Sequence, residues 1–262
     1  MKNLKEKLIF LQIEIILMAD KIDEQYISIN VENIESKNPI ILFGFPGMGL
    51  IGNIVAQHLI DQLKMQQKGI VESRLFPPVS IVYGGLVKSP VRVYESTEKN
   101  LVIIFSDIPI DPIISGEVGR NLIMWAKGLS PQEVVPIAGL ATTTEEHNVF
   151  GAAATQDDLD RIKELVRIFE IGTISGVPAV VMNDCLNNNI HCICLLGETR
   201  GANPDPRAAA EVVKALNKIY RWDIKIEPLL EQADQIEQML HKLSEQVGEA
   251  EAKAPKDTSI YG

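Results

Sequence analysis

The chain has 262 residues, long enough for one large α/β domain with an appendage. With 25 Lys and Arg against 35 Asp and Glu the formal net charge is −10, which argues against nucleic acid and anionic membrane as partners. Hydrophobic residues make up 46%, enough for a sizeable core, and three cysteines are too few for a disulfide framework, so a reducing, cytoplasmic setting is expected.

Residues 1–25 read as an N-terminal extension. The apolar run Leu8 to Met18 is too short for a bilayer, where about 20 apolar residues are needed. It is either an added helix or strand, or a stretch preceding a start at Met18, and the second reading is preferred. From about Pro39 to Tyr220, apolar runs alternate with amphipathic segments. Strands are expected at Ile27–Val31, Ile40–Phe45, Gly69–Leu75, Ser80–Leu86, Val91–Glu95, Leu101–Ser106, Val134–Leu140 and Cys192–Leu196. Helices are expected at Leu50–Lys64, Ile113–Lys127, Gln156–Phe169, Val177–Asn187 and Pro206–Arg221, the last opened by Asp205 as N-cap and Pro206 at the first helical position. Val91–Glu95, following Ser89 and Pro90, points to a hairpin. The fold class is therefore a three-layer α/β/α with a mostly parallel, mixed sheet over residues 26–222.

Beyond it, a helix over 223–248 carries a heptad seam of Ile226, Leu229, Ala233, Ile236, Leu240, Leu243 and Val247. It packs either on its own domain or on another subunit. Residues 227–262 hold eight acidic and three basic side chains, and 249–262 read as a solvated, flexible tail. The tail ends on Ile260, Tyr261 and Gly262, an aliphatic side chain, an aromatic hydroxyl and a carboxylate that together suit insertion into a cleft.

Other candidate sites are less specific. Gly47, Gly49 and Gly52, with Gly44 ahead of them, follow a strand and open a helix in the G-x-G-x-x-G spacing of dinucleotide binding, and Glu72 lies where a ribose-binding acid is expected. The competing explanation is a tight crossover whose glycines permit close packing. Cys192 and Cys194 share one strand face near Cys185, but three cysteines fall short of a metal set, and buried thiols are expected. His58, His147, His191 and His241 are scattered. His147 sits in a loop with Thr142, Thr143, Thr144, Glu145 and Glu146, and no catalytic set stands out. Glu198, Arg200 and Arg207 lie in a turn-rich segment that leads a strand into a capped helix or binds an anion.

Three segments resemble the proteasome assembly chaperone family, specifically its archaeal homologues (PbaB-type). They are Phe43 to Gly52, Gly172 to Pro178 and, most specifically, Leu195 to Ala210. The resemblance implies a phosphorylase/hydrolase-like fold, no enzymatic activity, no cofactor and no metal. It also implies a homo-oligomer, a tetramer by family likeness, that binds the α-ring of the core proteasome as a chaperone or activator. Proteasome-binding factors end in a hydrophobic-Tyr-X motif, and Ile260, Tyr261 and Gly262 match it, so these three are the expected partner-binding residues. The alternative is an ATP-dependent ligase-like enzyme that binds a nucleotide or dinucleotide through Gly44–Gly52.

Overall fold

Ile40–Gly44 (β2) is buried at every residue, which an open α/β sheet permits only at its centre. A computed structural model describes residues 26–144, 146–201 and 203–239 of the chain. In it β2 is flanked by two parallel neighbours, Leu101–Ser106 (β7) and Glu133–Ala141 (β8). The other strands are Ile27–Val31 (β1), Gln66–Ser73 (β3), Val91–Ser96 (β6), Val149–Ala153 (β9), Arg167–Ile168 (β10) and Ile193–Thr199 (β11). They form one sheet in the order β1-β3-β6-β7-β2-β8-β11-β9-β10. Pairing is parallel through β7-β2-β8-β11 and between β9 and β10, and antiparallel elsewhere, so the sheet is mixed as expected.

Alternation along the central strands sends side chains to two cores. Leu42, Ile103 and Val135 meet Ile51–Gln62 (α1) and Pro206–Tyr220 (α5) on one face. Ile41, Phe43, Ile104 and Val134 meet Pro112–Lys127 (α2) and Val177–Asn188 (α4) on the other. Three layers result. Asp205 caps α5 by accepting from Ala208 N at 3.0 Å, and Asp111 caps α2 in the same way through Ile113 N.

Two expected elements differ from the observed ones. The segment Gln156–Phe169 is not one helix: Gln156–Ile162 (α3) ends, and the chain turns to pair β10 with β9, Phe169 N donating to Gly151 O. Ile162 and Val166 were in helical register, yet they converge on Gly151, where a Cβ would stand 2.7 and 2.8 Å from them. Packing on a glycine of a neighbouring strand satisfies that apolar spacing without a continuous helix. The segment Ser80–Leu86 is likewise not one strand. Gly84 and Gly85 fold it into a separate two-stranded hairpin, Ile81–Tyr83 (β4) with Leu86–Lys88 (β5). The hairpin expected after Pro90 is that of β6 with β7.

The last described helix covers 227–239 (α6). Its seam residues Leu229 and Ala233 are buried, Leu229 within the first core, so over this span the helix packs on its own domain. Arg207 on α5 fastens it, pairing with Asp234 at 2.5 Å and Glu237 at 2.7 Å. Leu240, Leu243 and Val247, like the N-terminal extension and the 249–262 tail, lie outside the described residues.

Candidate functional site

The turn after β2 decides the shape of the C-terminal edge of the sheet. Phe45, Pro46 and Gly47 lead into a single 3₁₀ turn, Met48–Leu50, before α1 begins. Glycines here answer to packing. A Cβ on Gly44 would stand 2.1 Å from Ala56 Cβ on α1, and one on Gly52 would stand 2.7 Å from the carbonyl oxygens of Ile137 and Phe45. Gly49 takes φ +61 against Thr199, and its carbonyl accepts from Asp205 N at 2.9 Å. The strand-to-helix turn is thus pressed onto β8 and onto the loop before α5.

Glu72 does not join this turn. It lies on β3, three strands away from β2, and accepts from Asn30 Nδ2 at 3.3 Å. The dinucleotide arrangement therefore lacks its ribose acid, and of its three glycines Gly47 alone faces open space. Gly44→Ala and Gly52→Ala are each expected to lower stability by about 1–3 kcal/mol through overpacking, while Gly47→Ala stays within about 0.5 kcal/mol of the parent. Denaturant melts check this, and a nucleotide cradle would make Gly47 the sensitive position for ligand binding instead. On the same grounds ATP and NAD are expected to leave the melting temperature unchanged.

Beside the turn lies an apolar cleft of ≈ 430 Å³ at the C-terminal ends of β2, β8 and β11. Its walls bring together the segments singled out from the sequence: Phe45 and Met48 from the glycine turn, Ile174 from the approach to α4 and Pro178 from its first turn, and Leu196 from β11. This is the position at which open α/β sheets bind ligands. The lining is mainly apolar side chains and backbone, so the cleft can hold an apolar group but carries no acid–base pair of its own.

Across the turn is a second cleft of ≈ 480 Å³ between β11, α5 and α6. Glu198 is buried on β11, next in sequence to Thr199, which lines this cleft. Oε1 accepts from Thr144 Oγ1 at 2.9 Å, and Oε2 accepts from Asn148 Nδ2 at 2.7 Å and its backbone N at 3.2 Å. Burial pushes the Glu198 carboxyl pKa up, but the hydrogen bonds from Asn148 and Thr144 outweigh it and hold the group below the usual carboxylate range. A lowered folded-state pKa stabilises the fold above the unfolded value, near pH 4, and that stabilisation is lost as pH falls through the folded value. Glu198→Gln is therefore expected to flatten the loss of melting temperature as the pH falls below about 4, compared with the parent chain. Thr199 Oγ1 donates to Asp205 Oδ2 at 2.7 Å, and His147 Nδ1 lies 3.7 Å from that same oxygen. Of the charged residues in the turn-rich segment, Glu198 is committed to Thr144 and Asn148 and Arg207 to α6, and the segment leads β11 into the capped α5, the first of the two readings its sequence offered.

His58 and His191 also have structural partners. His58 Nε2 donates to Lys225 O at 2.6 Å, and burial lowers its pKa. His191 Nδ1 meets buried Asp158 Oδ1 at 2.8 Å, far from both clefts at the opposite end of β11. His241 lies outside the described residues. Cys185, Cys192 and Cys194 are free and buried, and burial pushes the Cys194 thiol up to about 12. No three His, Cys, Asp or Glu side chains among the described residues come together as a metal site, and no described helix is long and apolar enough to cross a membrane. Ile260, Tyr261 and Gly262, the expected partner-binding residues, lie outside the described residues.

The mixed, three-layer α/β/α sheet, with its glycine turn and capped α5, is the fold of an archaeal homologue of proteasome-assembly chaperone. Residues 41–244 match the model of the PAC2 family, and the chain belongs to that family. It is 32% identical over 228 residues to a protein of Methanocaldococcus jannaschii, covering 87% of this chain and 94% of that protein. Among solved structures, Pyrococcus furiosus PbaA, described as an archaeal homolog of proteasome-assembly chaperone, superposes with TM-score 0.79 at 31% identity over 87% of this chain and 96% of that chain. Pyrococcus furiosus PbaB, described as an archaeal proteasome activator, superposes with TM-score 0.75 at 24% identity over 84% of this chain and 99% of that chain, a likeness of fold. The resemblance to archaeal homologues of the family is thus borne out, with higher identity to PbaA than to PbaB.

Proposed function

We propose that the chain is a proteasome-associated chaperone, of assembly or activator type, and not an enzyme. It works as a cytoplasmic homo-oligomer that docks on the α-ring of the core proteasome through Ile260, Tyr261 and Gly262. The observation that carries this reading is the 31% identity to PbaA across almost the whole of both chains. The terminal Ile-Tyr-Gly sequence supplies the means of contact. The test is a pull-down of purified core proteasome by the full chain and by a chain lacking residues 260–262. Binding by the first and not the second is expected; equal capture by both overturns the tail's role, and capture by neither overturns the reading.

A further inference from the structure

Strand β1 ends the sheet on one side, and among the described residues no strand pairs with its outer edge. Alternate N–H and C=O groups of Ile27–Val31 therefore point away from β3 with no described strand to receive them. Natural edges are blunted by a charge, a proline or a bulge. Ile27, Ser28, Ile29, Asn30 and Val31 supply no charge and no proline, and their register with β3 runs unbroken. The two faces at this edge differ. Ile27, Ile29 and Val31 join the second core, and α2 packs against β1. Ser28 and Asn30 share the other face with Glu72, to which Asn30 donates.

The described chain begins at Tyr26, one residue ahead of β1. Residues 19–25 join it to the apolar run Leu8 to Met18, a link of at most ~25 Å when extended. The run is thus tethered beside the β1 edge at high effective concentration. Its polar residues are Gln12 and Glu14. On a helix these stand about 200° apart, on opposite sides; on a strand they share one face. The strand pattern leaves Ile9, Leu11, Ile13, Ile15 and Leu17 on the opposite face, the same one-sided alternation as β1. We infer that residues 9–17 add to β1 as an antiparallel outer strand, the added strand among the readings offered by the extension's sequence. Their odd-numbered side chains extend the second core, and Gln12 and Glu14 lie on the face of Ser28 and Asn30. Glu14 then shares a face with Glu72, but β1 lies between them. Two strand spacings, about 9–10 Å, match the screening length at about 0.1 M salt. The added strand covers an edge that, left open, is a template for pairing with another chain.

The inference is independent of proteasome capture, and the full chain tests it. Outward-pointing amides of β1 should exchange hydrogen at least ~10-fold more slowly in the parent than in Ile13→Asp with Ile15→Asp, which sets two charges against the second core. Gln12→Lys with Glu14→Lys, on the polar face, should keep the parent's protection. Unprotected parent amides, or equal loss in both variants, overturn the inference. A second measurement fixes the sidedness. Ile29→Cys is paired in turn with Ile13→Cys, Ile15→Cys and Leu17→Cys, then with Gln12→Cys, Glu14→Cys and Ile16→Cys, under oxidised glutathione. A disulfide within one chain is expected for an odd-numbered partner and for no even-numbered one, whose Cβ points to the other face. Bonding at even and odd positions alike, or at none, overturns the inference. Bonding only between chains overturns it too, by giving the edge to a second copy.

Discussion

Arg92→Met is expected to melt on the order of 10 °C below the parent chain. Arg92 lies on β6, between β3 and β7 in the sheet, with its side chain almost wholly buried. Its guanidinium faces the Asp107 carboxylate at 2.6 Å, an ion pair rather than a linear hydrogen bond. It also donates to Ser89 O at 2.6 Å and to Tyr94 Oη at 2.8 Å, and lies 5.0 Å from the centre of the Phe105 ring. Taking away one member of a buried pair leaves the other charge without compensation, which costs about 3–5 kcal/mol. For a chain of this size each kcal/mol moves the melting temperature by about 2–4 °C. The double variant Arg92→Met with Asp107→Asn separates the causes. If the loss comes from a stranded carboxylate, the second change should recover much of it; if it comes from the hydrogen bonds to Ser89 and Tyr94 and the ring contact, the second change should recover nothing. A single variant that melts with the parent would show that the pair has no net effect.

The sheet was legible where burial is two-sided. Ile40–Phe45 and Leu101–Ser106 are continuous apolar runs, and they became the central strands β2 and β7 almost to the residue. Helices with an explicit cap were equally plain, as Asp205 and Pro206 show for α5. What escaped was structure made by small residues. Val149–Ala153 (β9) carries a glycine and two alanines, no run of β-branched side chains, and its place is set by pairing with β11 rather than by its own propensity. The site divides the same way. Glycine spacing marked the turn at Gly44–Gly52, but spacing cannot say whether a missing Cβ makes room for a phosphate or for Ala56. Contact with α1 answers that, and contact between elements is invisible in a linear pattern. Glu198 was visible as a charged residue in a turn-rich segment. Its partners Thr144 and Asn148 come from a loop about fifty residues earlier, joined to it by the β8–β11 and β9–β11 pairings.

On the proposed reading, Tyr261→Ala is expected to abolish capture of the core proteasome while leaving the melting curve of the chain unchanged. Burying one tyrosine ring contributes about 1.5–3 kcal/mol, and a charge-assisted hydrogen bond to the terminal carboxylate adds about 1.5–3 kcal/mol. Ordering the tail offsets part of this, so a single tail binds near the millimolar range, about −4 kcal/mol. Tails sharing one oligomer act at high effective concentration and gain ~10²–10⁴ in avidity. The fifteen residues from Gly248 to Gly262 reach at most ~50 Å when extended, enough for tails of one particle to visit adjacent pockets. Loss of about 2 kcal/mol per tail is ~30-fold at each pocket, and it multiplies over every tail engaged. Appending one residue after Gly262 displaces the carboxylate and should weaken capture as strongly as losing the ring, because each group supplies a similar share. Capture that survives the appended residue but not Tyr261→Ala would assign the contact to the ring alone, and capture that survives both would place the docking surface on the folded body.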